Sequence, residues 1–297
     1  MSKFARVATR LFNAPLMLRP EKAEMLCAAL VDRLGIASLE RIDGTTLGAA
    51  QLRLKAMDDS DWTTKPKTAR DMYAVERRVA RVSVDGTLVH KLGGVEPYSG
   101  MVGYDCLDRI IADAQQNREV GAILVDADTP GGEVSGCFEF ARKLRQTRKA
   151  GGKPVIAMVN EMMCSAGYAI AASCDAVMAT ETAITGSIGV WTMMVDMTKA
   201  LSEKGIAVKI IRAGDRKARG GPYETADDET EDKLVRWVNE TWDIFAEHVA
   251  AGRPISKEAV LRLEGDWFTG NDALALGLVD AIDSPEAIFE AVAALAR

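Results

Sequence analysis

VGAILVDADTPGGEVSG, Val120–Gly136, is the stretch on which the fold turns. Its first half is a continuous apolar run of the kind found in strands of a parallel sheet buried on both faces. Its second half breaks at Pro130 and the adjacent glycines Gly131 and Gly132, before a helix expected from about Val134 to Ala150. Outward from it the same alternation recurs. Upstream, VARVSVDGTLV (Val79–Val89) reads as a strand or as a hairpin turning at Asp85-Gly86, and YDCLDRIIADAQQN from Tyr104 as an amphipathic helix. Downstream, KPVIAMV (Lys153–Val159) reads as a strand feeding a small-residue helix that begins near Cys164. DAVMAT from Asp175, SIGVWTMMV from Ser187 and IAVKIIR from Ile206 are further strand candidates, with TKALSEKG from Thr198 as a helix between the last two. Strands alternating with helices at this spacing predict α/β architecture, parallel βαβ units joined by right-handed crossovers.

The ends differ from this centre. Met25–Gly35 has helical apolar spacing, and Asp43–Asp71 mixes charge, Gly, Thr and Pro66 without a period. Residues 1–77 are therefore read as an N-terminal arm and linker, and 78–297 as one domain, helical from about residue 230. In that tail Leu234, Trp237, Val238, Trp242, Phe245 and Val249 share a helix face, and shorter helices are expected around Lys257–Leu263, Asn271–Leu276 and Pro285–Ala296.

Composition narrows the function. The 297 residues carry a net charge of -6, which does not fit a chain whose task is to neutralise phosphates, so nucleic acid is not an expected partner. The basic cluster Arg142, Lys143, Arg145, Arg148, Lys149 and Lys153 is read as a solvated helix face. Five cysteines, scattered and without CxxC spacing, fit a reducing compartment and no zinc site. The N-terminus lacks the continuous apolar segment of a signal peptide, and Glu161, Asp175 and Glu181 interrupt the most apolar region, Val155–Val195, so no membrane anchor is expected. With only two histidines, His90 and His248, there is little material for a Ser-His-Asp triad. His248 is read as a packing or surface residue of its helix, and His90 has no evident partner.

Three segments carry chemistry. In DADTPGGEVSG the Gly131-Gly132 pair ends a buried strand, where glycines let the backbone approach a ligand and direct N–H groups at an anion; a plain strand-to-helix turn is the alternative. In EMMCSAGY, Ser165 stands at a strand-to-helix junction, as a nucleophile or as an N-cap. In IIRAGDRKARGGPYE, Lys217 lies in a Gly-rich loop past a strand candidate, as a base if burial lowers its pKa or otherwise as a surface lysine. Cys164 is expected to pack.

Taken in order, TPGGEVSG, CSAGY, TGSIGV and AGDRKARGGPYE resemble the motifs of the signal-peptide-peptidase-A-like serine–lysine peptidases, and most of all their phage branch, the prohead or capsid maturation proteases. The resemblance covers about Val79 to Asp280, and LFNAPLMLRPEK (Leu11–Lys22) also resembles the start of phage members. It implies a crotonase/ClpP-like α/β fold with Ser165 as nucleophile, Lys217 as general base and Ser187 orienting the lysine. A backbone N–H at Gly131 or Gly132, with that of Ser165 or Ala166, would form the oxyanion hole. It further implies no metal or organic cofactor, protein substrates such as capsid or scaffold proteins or the chain's own arm, a homo-oligomer, and action in the host cytoplasm or prohead. Here Ala218 and Arg219 follow the lysine where members often carry an acidic or polar residue. Three rival readings stay open: a bacterial peptidase that degrades leader peptides, a crotonase-type acyl-CoA enzyme, and a non-catalytic assembly protein.

Overall fold

The computed structural model describes residues 16–18, 38–40, 46–48, 68–92 and 100–296. The helix expected over Met25–Gly35 lies outside them. In chain order the strands are β1 (Leu16–Leu18), β2 (Ser38–Glu40), β3 (Thr46–Gly48), β4 (Ala74–Glu76), β5 (Val79–Asp85), β6 (Thr87–Val89), β7 (Met101–Gly103), β8 (Ala122–Thr129), β9 (Gly131–Glu133), β10 (Val155–Cys164), β11 (Ala176–Ala179), β12 (Ile184–Gly186), β13 (Trp267–Thr269) and β14 (Ala281–Ile282). The helices are α1 (Tyr104–Gln116), α2 (Cys137–Lys149), α3 (Ala166–Ala171), α4 (Thr198–Glu203), α5 (Asp228–Ala250), α6 (Lys257–Leu261), α7 (Gly270–Ala275) and α8 (Pro285–Leu295).

The α/β architecture is as expected. The main sheet runs β13-β12-β10-β8-β5-β4, with β11 and then β14 continuing from β10. β5, β8, β10, β11 and β12 pair in parallel, the first four joined in order through helical crossovers and β11 joined to β12 by a short turn, while β4 and β13 are antiparallel edges. The apolar run Ala122–Val125 that opens β8 is explained by cover on both faces. Val82, Ile123, Val125 and Ala157 pack with α1, α2 and α3, whereas Val79, Leu124, Ile156 and Met158 pack under Ile288 and Val292 of α8. A second sheet, β1-β9-β6-β7, is built from three-residue strands.

Four readings are corrected. Val79–Val89 is not a hairpin, because β5 and β6 join different sheets: Gly86 carries the chain from β8's neighbour to the small sheet, where β6 pairs in parallel with β7 and β9. β10 does not end at Val159 but continues to Cys164 through a bulge at Asn160-Glu161, where Glu161 takes φ 104°. The expected strand at Ser187–Val195 is displaced to Ile184–Gly186, with a single bridge at Trp191 beyond it. Ile206–Arg212 forms no strand: it is irregular, and Ile206, Val208 and Ile211 face outward.

The basic cluster is also not a uniformly wet face. Arg145 is buried, Arg148 pairs with Asp175 at 3.3 Å, and Lys153 Nζ donates to the Ala114 carbonyl at 2.9 Å. Among the described residues, no helix is long and apolar enough to cross a membrane and no cluster of metal-ligating side chains occurs.

Candidate active site

The bulge in β10 sets up the site. Before it, Ile156–Val159 pair with β11; after it, Met162–Cys164 pair with β12, so the strand's last three residues have a different neighbour from its first. Parallel strands place their C-terminal ends together, and here those of β8, β10 and β12 converge at Thr129, Cys164 and Gly186. Ser165 follows directly. It is 1% exposed and takes φ 55°, ψ −117°, a conformation rarely adopted by a side-chain-bearing residue. Its N–H donates to the Gly186 carbonyl at 2.8 Å, and its own carbonyl accepts from Ala169 N–H at 3.1 Å, starting α3. The chain thus reverses sharply from strand to helix at this serine. Its side chain accepts no capping hydrogen bond from α3, so the serine is not serving as an ordinary N-cap.

Gly131 is pressed against this turn. It has φ 101°, and a Cβ there would stand 2.2 Å from the Met17 carbonyl oxygen, 2.8 Å from Ser165 Cβ and 3.0 Å from the Cys164 carbonyl oxygen. Only glycine fits. At Gly132 a Cβ would meet the Leu88 carbonyl oxygen at 1.8 Å, so β9 is packed backbone to backbone on both flanks. Thr129 was not singled out in the sequence. Its hydroxyl donates to the Gly86 carbonyl at 2.6 Å and accepts from Gly131 N–H at 3.2 Å, tying the glycine pair to the end of β8. Ala166 opens α3 fully buried, where the first-turn amides have no intrahelical acceptor. The structure therefore brings Ser165, Gly131, Gly132 and Ala166 together.

The lysine is elsewhere in exposure. Ser187 follows β12, half-buried, with its N–H donating to the Asp266 carbonyl at 2.7 Å. Trp242 of α5 donates from Nε1 to the Ile188 carbonyl at 2.8 Å, which fixes this segment against the long helix. Lys217 lies in a turn, its N–H donating to the Gly214 carbonyl at 2.9 Å, and its side chain is exposed in the single chain. The described residues do not withdraw this lysine from water, as a lysine acting as a base would require. The loop is nevertheless held: Arg212 pairs with Glu224, and Arg219 with Asp227 and Glu229 at the start of α5.

Cys164 packs as expected, buried with Sγ 3.7 Å from the Ile184 carbonyl. His248 is a packing residue. Its Nε2 lies 2.9 Å from the Ala169 carbonyl, 3.1 Å from Ser173 Oγ and 3.2 Å from Arg145 Nη2, and burial beside Arg145 pushes its pKa down to about 4. The backbone N–H of His90 donates to Glu133 at 2.6 Å, and its ring covers Gly136.

Comparisons with known proteins place the chain in a family. The family model described as peptidase family S49 matches residues 147–297. The capsid assembly protease C of Escherichia phage lambda is 36% identical over 95% of this chain and 64% of its own length. The head-tail preconnector protein GP5 of Enterobacteria phage P21 is 33% identical over 96% of this chain and 56% of its own. The chain thus spans less than two thirds of either relative. Among solved structures, the stomatin-homologue-specific protease 1510-N of Pyrococcus horikoshii is similar over 72% of this chain and 77% of its own, with 15% identity and a TM-score of 0.43. Methylmalonyl CoA decarboxylase is similar over 75% of this chain and 74% of its own, at 13% and 0.47. With a family match across half of the chain and phage relatives aligned along nearly all of it, the chain belongs to peptidase family S49.

Proposed function

We propose that this chain is a serine endopeptidase in which Ser165 attacks the substrate carbonyl and Lys217 takes the hydroxyl proton, later returning it to the leaving amine. The observation that carries this reading is the Ser165 turn, a buried serine held at positive φ against a glycine whose Cβ would collide with it. The tetrahedral oxyanion is held by one backbone N–H of the Gly131-Gly132 pair and that of Ala166, and Ser187 orients the lysine. A lysine serves as a base when it is taken out of water. In one copy Lys217 is exposed, and the large side chains of Ile206, Val208, Ile211 and Tyr223 around its loop are exposed as well. Association of copies over this apolar surface is what desolvates the lysine, so the working form is a homo-oligomer.

The substrates are capsid or scaffold proteins, and the chain's own N-terminal arm, cut during phage head maturation in the host cytoplasm or prohead. The names of the lambda and P21 relatives support this. Residues 78–297 carry the peptidase residues, with β4 added as an edge strand of the same sheet and Tyr73 packed in its core, and the arm and linker precede them. No step requires a metal or organic cofactor. A fluorophosphonate should label Ser165, read by peptide mass; labelling should vanish in Ser165→Ala and slow at least about 100-fold in Lys217→Ala. Equal labelling of Lys217→Ala and the parent would remove the lysine from the mechanism.

A further inference from the structure

β1 is bound along both of its edges. Leu16 N–H donates to the Trp191 carbonyl at 2.7 Å and Trp191 N–H donates back to the Leu16 carbonyl at 3.1 Å, closing an antiparallel pair on one side. On the other side β1 runs antiparallel to β9, in the register Leu16–Glu133, Met17–Gly132 and Leu18–Gly131. Successive residues of a strand direct their polar groups to opposite edges, so Trp191 engages Leu16 while β9 engages Met17. The Met17 carbonyl oxygen and Ser165 Cβ flank the same α-carbon, that of Gly131. Residue 17's carbonyl therefore passes beside the serine. The side chains of Leu16 and Met17 are both buried, 3% and 0% exposed, and with β1 in place the serine itself is shut from solvent.

β1 reaches this arrangement from the N-terminal arm and is held by short pairing: three residue pairs on β9, against seven for β5 on β8, and one bridge at Trp191, while on the opposite edge of β9 Leu88 of β6 pairs with Gly132. Without β1, what remains is a slot with unpaired backbone groups on both walls, the arrangement that captures an extended peptide by strand addition. We infer that the slot between β9 and Trp191 is a peptide-binding groove and that β1 is its tethered occupant, which holds the groove closed until a substrate strand displaces it. The inference rests on the peptidase reading for the natural ligand. The groove takes an extended peptide with a long apolar side chain at the position of Met17, presenting the following peptide bond to Ser165. A tethered segment competes at an effective concentration on the order of mM, so an added peptide binds the unaltered chain weakly.

The test uses the full chain carrying Ser165→Ala, so that nothing is cut, with and without Leu16→Gly and Met17→Gly. A fluorescent peptide of residues 13–20, NAPLMLRP, is titrated into each and followed by anisotropy. The arm variant should bind it at least tenfold more tightly; equal affinity overturns the inference. If the double variant loses its cooperative thermal transition, Met17→Ala replaces it under the same criterion. Hydrogen exchange gives a second reading: the amides of Leu16–Leu18 should be protected in the Ser165→Ala chain and lose protection when the peptide saturates it, whereas free exchange without peptide overturns the inference. Tighter peptide binding without fluorophosphonate labelling of Ser165 in any serine-containing chain would uphold the groove and defeat the peptidase reading. Labelling that is unaffected by the arm variants, with unchanged peptide affinity, would do the reverse.

Discussion

Ser165 holds its hydroxyl in place at a conformational cost. A side-chain-bearing residue at φ 55°, ψ −117° is disfavoured by about 1–3 kcal/mol, and the Gly186 hydrogen bond and the Gly131 contact hold it there. Glycine relieves that cost and alanine does not. Ser165→Gly is therefore expected to be more stable than Ser165→Ala by about 1 kcal/mol in denaturant unfolding, although neither reacts. Gly131→Ala should act in the opposite way. Its Cβ has nowhere to go between Met17 and Ser165, so a loss of about 2 kcal/mol or more and at least tenfold slower labelling of Ser165 are expected. Ser165 and the glycine pair were legible in the sequence because a strand-to-helix junction and a GG turn are local signals. Thr129 was not legible, since its role depends on Gly86, which reaches it only through the fold. Leu16 and Met17 were not legible, since their pairing with β9 and Trp191 depends on segments far along the chain.

At the scale of elements, the sequence specified the parallel layers well and the partner changes poorly. The apolar runs of β5, β8 and β10 mark strands wherever they pair, but period and composition do not say which sheet a strand joins. That is why Val79–Val89 reads equally as one strand or a hairpin although β5 and β6 join different sheets, and why the polar Asn160-Glu161 bulge reads as a strand end. Ile206–Arg212 alternates like a strand yet finds no sheet edge in the single chain. Helix α5 carries a more informative surprise, because His248 meets the C-terminal carbonyls of α3 together with Arg145. Burial, with Arg145 beside it, lowers the His248 pKa from 6.5 to about 4, so the unfolded chain binds the proton more readily. Stability contributed by neutral His248 is present above pH 6.5 and is lost as pH falls from 6.5 towards 4, by about 3 kcal/mol in all. Denaturant unfolding across that window should show this slope, and His248→Gln should flatten it while leaving Ser165 labelling at pH 8 in place.

At the scale of the molecule, the unsatisfied surface is concentrated around the lysine loop and the first half of α5. Ile211 is 88% exposed and Trp237, on the apolar face of α5, is 46% exposed. The apolar face of α5 was legible, but only its second half, around Phe245 and Val249, is covered within one chain. Sedimentation should therefore find an assembly larger than one copy, and Ile211→Asp should dissociate it and slow Ser165 labelling at least tenfold, as Lys217 returns to water. A monomer that labels at the full rate would contradict the coupling between assembly and base. The central claim is that two side chains distant in sequence form one catalytic unit, and cleavage of an unfolded protein substrate by the parent, Ser165→Ala, Lys217→Ala and the double variant tests it most directly. The account predicts cleavage by the parent, a loss of at least about 1000-fold in each single variant, and no further loss in the double variant, as for residues that act as a unit. Undiminished cleavage in either single variant would contradict it.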